Sequence, residues 1–161
     1  MEYEYGKNSP MQYKHPDVNQ KRVNIAAEPK IGKYVECYSS YDLMSIFDFN
    51  GSLIYNVYGP NWKNTDRGNR YYGKPLFCKE HIVALYSGEN SVVHDDIKGA
   101  KVNLPTQFLI FDLEGNYQQT IETGYQISDF CYDKDNDRIV MNFDDNIQFG
   151  YLDVKKLFKN E

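Results

Sequence analysis

The chain is poor in the residues and patterns that announce a chemistry. Its 161 residues include only three cysteines, Cys37, Cys78 and Cys131, with no CxxC pair among them, so neither a disulfide framework nor a zinc ribbon can be built. Each lies in an apolar or aromatic stretch, which predicts buried free thiols. No block of Lys or Arg is present and the net charge is -5, which removes the electrostatic footprint of nucleic-acid or anionic-membrane binding. The longest apolar runs, 82–86 and 108–111, fall far short of the roughly 20 residues of a membrane-spanning helix, so no membrane insertion is expected. The first seven residues carry neither a basic nor an apolar leader region, and the chain as it stands reads as cytoplasmic. There is no GxSxG, HExxH, Walker A or GxGxxG, and His15, His81 and His94 are far apart. No catalytic residue, cofactor or metal is therefore assigned.

Aromatic residues, by contrast, are plentiful. Fifteen Tyr and nine Phe supply enough bulky apolar surface for the core of one domain, despite a polar average composition. No segment sustains a 3.6-residue period; short runs rich in Val, Ile, Tyr and Phe alternate instead with turn residues, which predicts an all-β fold. The chain is also self-similar. Ser45-Ile46-Phe47-Asp48-Phe49-Asn50-Gly51 recurs as Leu109-Ile110-Phe111-Asp112-Leu113-Glu114-Gly115 and more weakly at 150–156. A second element lies upstream of each copy, at Lys33–Tyr38, at 81–86 and at Arg138–Phe143.

The spacing supports a true repeat. Tyr38 precedes Phe47 by nine residues, Phe143 precedes Leu152 by nine, and Tyr86 precedes Phe111 by 25, an excess of 16 that reads as an insert between about Gly88 and Thr106. With that insert removed the period is near 41 residues, and a further extension sits at 61–72. Four antiparallel strands in about 41 residues is the unit of a β-propeller blade. Three blades are predicted, at about 21–58, 74–123 and 127–157. The first comprises strands 23–27, 33–38, 43–49 and 52–58, the second ends with 116–123, and the third comprises 128–132, 138–143 and 147–154 with no fourth strand. Residues 1–20 read as a disordered leader or as the donor of an edge strand.

In the element Ile110-Phe111-Asp112-Leu113-Glu114-Gly115-Asn116, followed by Ile127-Ser128-Asp129-Phe130 and Arg138-Ile139-Val140, the chain resembles the TolB-like six-bladed β-propellers, a bacterial group akin in shape to NHL-repeat propellers. The likeness runs over about 25–154. It implies six blades in roughly twice this length and a periplasmic or envelope setting, and it carries over no catalytic residues.

Three places could hold chemistry. Asp133, Asp135 and Asp137 have the spacing of the front half of a calcium loop but lack the Gly and distant Glu that such a loop needs, so a plain turn is expected. His94 with Asp95 and Asp96 lies in the insert. In a propeller the insert and the extended loop 59–73 open on one face, which would gather Trp62, Lys63, Arg67, Arg70, Tyr71 and Tyr72 with His94, Asp95 and Asp96 as a ligand-binding surface. The expected function is a non-enzymatic binding or scaffold module recognising a protein, peptide or glycan there. The alternative is a hydrolase or lyase with a His/Asp site at the mouth of the propeller channel. Three blades leave the first and third with an uncovered apolar face each, so a homodimer closing a six-bladed ring is expected, residues 1–20 supplying the third blade's missing strand.

Overall fold

In the computed structural model, residues 6–8, 22–63 and 68–158 are described. Fourteen strands and one short helix follow in order: β1 (Gly6–Asn8), β2 (Val23–Glu28), β3 (Lys33–Tyr38), β4 (Leu43–Asp48), β5 (Leu53–Tyr58), β6 (Asn69–Cys78), β7 (His81–Asn90), β8 (Val92–Asp95), β9 (Gly99–Val102), β10 (Gln107–Asp112), β11 (Tyr117–Glu122), β12 (Ile127–Asp133), β13 (Arg138–Phe143), β14 (Phe149–Asp153) and α1 (Val154–Leu157). The fold is all-β, and among the described residues no sheet closes on itself. The first sheet runs β1-β5-β4-β3-β2, the second β11-β10-β7-β6, the third β12-β13-β14, and β8-β9 form a separate hairpin.

The repeat is visible in detail. Asp48 Oδ1 accepts the N–H groups of Asn50 and Ser52, both at 2.9 Å, and Asp112 Oδ1 accepts those of Glu114 and Asn116 at the same distance. Each of these hairpin turns closes on a glycine in the left-handed region, Gly51 at φ 83° and Gly115 at φ 82°. The pairing register slips at the same place in both, between Ile46 and Phe47 and between Ile110 and Phe111. The third copy has Lys156 where the others have glycine. A side chain disfavours φ near +80°, and Asp153 Oδ1 instead caps α1 by accepting the Lys155 N–H at 3.1 Å. The chain turns into a helix there rather than into a fourth strand.

Two aromatic-aliphatic clusters hold the sheets against one another. Val35, Met44, Ile46 and Val57 of the first sheet pack on Tyr72, Ile82, Leu109 and Phe111 of the second. Val83, Phe108 and Ile110 on the opposite face of the second pack on Phe130, Ile139 and Met141 of the third. Lys33 Nζ spans the first seam to the Leu113 carbonyl at 2.8 Å, and Lys74 Nζ spans the second to Asp129 at 2.9 Å and to the Phe130 carbonyl at 2.8 Å.

Several expectations change. The inserts do not form loops throughout: β6 begins at Asn69, and the span 88–106 extends β7 and then folds as the exposed hairpin β8-β9. Cys37 and Cys78 are buried, but Cys131 is exposed, because alternation along β12 turns it to the outer face of the third sheet. On the far face of the first sheet Val23, Tyr41 and Trp62 pack against a small cluster of their own. Tyr38, Leu43 and Tyr58 are buried there within a single chain, as is the hydrogen bond from Ser45 Oγ to Asn56 Oδ1. Of the segment 1–20, only residues 6–8 are described, and β1 pairs with β5 of its own chain, with Gly6 opposite Tyr58 and Asn8 opposite Asn56.

Candidate ligand-binding site

At the end of the molecule that carries the β8-β9 hairpin, the predicted surface is only partly assembled. Tyr71 and Tyr72 are core residues, 1% and 2% exposed, because β6 starts early enough to place both in the first seam. Trp62 leans on Tyr58, ring centroids 4.7 Å apart, and Lys63 lies 5.8 Å from its ring. Arg70 is half-buried with its guanidinium on the Asn69 carbonyl. Arg67 lies outside the described residues. His94, Asp95 and Asp96 are exposed on the hairpin, where Asp95 Oδ1 accepts the Ile97 N–H at 2.8 Å. Among the described residues no group of three or more His, Cys, Asp or Glu side chains converges.

What organises this end is a residue the sequence reading passed over. Asp42 is fully buried, its Oδ1 accepting the Tyr86 hydroxyl at 3.1 Å and its Oδ2 the Asn61 N–H at 3.0 Å, while its carbonyl accepts the Gly59 N–H at 2.8 Å. Burial pushes its carboxyl up to about 6, against the opposing pull of the Asn61 and Tyr86 donors. Gly59 is required at this point because a Cβ would overlap the Asp42 carboxylate.

The opposite end carries the concavity. The β2-β3, β6-β7 and β12-β13 turns come together around a cavity of about 270 Å³ lined by Glu28, Lys30 and Ile31, by Phe77 and Lys79, and by Tyr132 and Lys134. Each of the three turns thus delivers one lysine to it. Lys134 Nζ reaches Glu28 at 3.6 Å, tying the third sheet to the first. Lys79 Nζ meets Asp137 Oδ2 at 2.8 Å, and Asp137 Oδ1 accepts the Tyr132 hydroxyl at 2.9 Å. Lys79 and Asp137 both sit at φ 53°, an uncommon conformation for residues with side chains, and one that costs on the order of 1 kcal/mol at each.

The Asp133–Asp137 segment is a turn in which the Asp133 and Asp137 carboxylates are taken up by neighbouring donors. Asp133 Oδ2 accepts Asn136 Nδ2 and Arg138 Nε, each at 2.9 Å, and these bonds hold its carboxyl below the usual range. The Lys79 bond, helped by Tyr132, does the same for Asp137. Burial beside Asp137 pushes the Cys78 thiol up to about 12, so it stays protonated. Phe77, Ile31 and Tyr132 give the cavity an aromatic and aliphatic lining, and three lysines outnumber Glu28 around it in a chain that is acidic overall. That combination suits a ligand with an anionic group beside an apolar body.

Comparison with known proteins adds no identification: neither protein-family models nor curated proteins match the chain. Among the described residues no helix is long and apolar enough to cross a membrane.

Proposed function

We propose that the chain is a non-enzymatic binding module made of three consecutive propeller-type blades, and that it takes a peptide or protein segment pairing an acidic group with an apolar side chain at the lysine-lined cavity. The carrying observation is the convergence of Lys30, Lys79 and Lys134 from three separate sheets on one cavity with an apolar lining. The blade reading is supported by β6, whose closest neighbours outside its own sheet are β2, β3 and β12, as expected where inner strands stand side by side around an axis. Ligand affinity here should be moderate and sensitive to salt, since the contacts are charge-assisted and partly exposed.

Calorimetric titration with short peptides containing Asp or Glu next to Phe or Leu tests this. Exchanging Lys30 and Lys134 together for Gln should weaken binding at least fivefold while leaving the melting temperature nearly unchanged. Equal affinity of the double variant would sink the cavity as the site.

A second reading rests on the β8-β9 hairpin, which stands clear of the sheets with Ile97 92% exposed and Val92, Val93 and Val102 also in solvent. A projecting apolar hairpin suits protein docking. Deleting residues 92–102 would separate the two readings, because cavity binding survives that deletion.

A further inference from the structure

The three sheets end differently at their outer edges. In the first, β1 covers β5; in the second, β11 exposes the polar Gln118 and Glu122; in the third, β14 is the last strand. The register decides which backbone groups of β14 face outward. The Phe143 N–H donates to the Gln148 carbonyl and the Val154 N–H to the Asp137 carbonyl. With Met141 opposite Gly150 and Ile139 opposite Leu152, residues 148, 150, 152 and 154 spend their backbone groups on β13. Phe149, Tyr151 and Asp153 turn theirs away, and among the described residues no strand takes them. The side chains of Phe149 and Tyr151 are 65% and 63% exposed on the outer face. The five residues of β14 contain no Pro or Lys, the residues that commonly blunt a bare edge.

We infer that this edge pairs with β14 of a second copy of the chain, antiparallel about a two-fold axis, joining two three-stranded sheets into one of six strands. The order of charge along the segment selects a second copy over an arbitrary strand. Asp144 and Asp145 precede β14 and Lys155 and Lys156 follow it, all four exposed. Antiparallel pairing centred on Gly150 brings each Asp144–Asp145 turn alongside the Lys155–Lys156 of the other copy. The same register sets Phe149 opposite the second copy's Tyr151, twice over, with their outward backbone groups in hydrogen-bonding positions. A slip of one residue would oppose outward groups with groups already used by β13. The glycine at the centre lets the two strands approach most closely where the axis passes. An axis perpendicular to the sheet keeps all four aromatic rings on one face, as a ladder. The surface is small, so the association belongs to the weak class of interfaces.

Light scattering after size exclusion should find a species near twice the 18.9 kDa chain mass at tens of micromolar, relaxing to the monomer on dilution. Lys155→Glu with Lys156→Glu, and separately Asp144→Lys with Asp145→Lys, should each weaken association about tenfold. Mixing these two variants should recover a heterodimer, because each supplies the charge the other has lost. A spin label on the exposed Cys131 should report a separation of roughly 25 Å, five interstrand spacings of about 4.8 Å. A monomer throughout the micromolar range overturns the inference. So does a dimer that both charge reversals leave intact, or one whose labels lie beyond about 40 Å.

Discussion

The second and third sheets share a repeat but not a fate. The second has four strands with both faces buried, one in each seam, whereas the third has three strands and buries one face only. The divergence begins at one position: Gly115 lets Asp112 close a hairpin, while Lys156 obliges Asp153 to cap a helix. One backbone conformation thus separates a turn that leads into a further strand from a turn that leads into a helix. The contrast should appear as a difference in how much each sheet tolerates. Ile110→Ala, on the second sheet in the seam with the third, should cost about 3 kcal/mol through lost burial and a residual cavity. Val140→Ala, on the third sheet's outer face, should cost under about 1 kcal/mol. Urea denaturation of the two variants checks this, and equal costs would show that the outer face is covered.

The two seams should also respond oppositely to pH. Asp42, in the buried network of the hairpin-bearing end, has a carboxyl raised from 3.8 to about 6. Between those values the folded chain holds a proton that the unfolded chain has released, so stability falls as pH rises through the window. The loss is complete above about pH 6 and is on the order of 3 kcal/mol. Asp133 and Asp137, on the rim of the other seam, are shifted down by Asn136 and Lys79 first among their donors. Their contribution is present above 3.8 and is lost as pH falls below it. Asp42→Asn should flatten the stability profile between pH 4 and 6 and leave the acid limb unchanged, as read from denaturation midpoints at half-unit pH steps.

The glycines of the two complete turns sharpen the comparison further. Gly51 and Gly115 have nearly the same φ, but a Cβ on Gly51 would meet nothing within 4 Å, whereas one on Gly115 would lie 2.7 Å from Val57 Cγ2. Gly51→Ala should therefore cost about 1 kcal/mol for the conformation alone. Gly115→Ala should cost about 2 kcal/mol, since it also crowds the seam with the first sheet. Thermal melts of both would measure how tightly that seam is packed.

Most of the strand framework was legible because it rests on local signals. Recurrence of Phe-Asp-x-x-Gly and the nine-residue spacing located β3, β4 and β13 within a residue or so, and they did so because an Asp side chain bonding its own turn is a short-range device. The candidate site was less legible because its parts are not neighbours in sequence. Lys30, Lys79 and Lys134 are ordinary turn lysines until three sheets bring their turns together. Tyr71 and Tyr72 read as loop aromatics because the start of β6 depends on pairing with β7 across register shifts that composition does not encode. Asp42 escaped notice because a lone buried carboxylate has no sequence pattern; only its donors, Asn61 and Tyr86, distinguish it.

The smallest expected effect separates the outer face of the third sheet from the seam behind it by chemistry rather than stability. Cys131 shares a row across the third sheet with Val140 and Tyr151 and is exposed, whereas Cys78 is buried in the second seam and Cys37 in the first. Reaction with a disulfide reagent requires both access and thiolate, and burial raises the pKa of Cys37 and Cys78 so that each lacks both. One thiol should therefore react within minutes in the native protein and three after denaturation. Cys131→Ser should abolish the native reaction while changing stability by less than about 0.5 kcal/mol, because an exposed thiol contributes little packing. If two thiols reacted at comparable rates in the native protein, the seam around Cys78 would be opening on that timescale. The second and third sheets would then be less firmly joined than the Lys74–Asp129 and Lys79–Asp137 pairs imply.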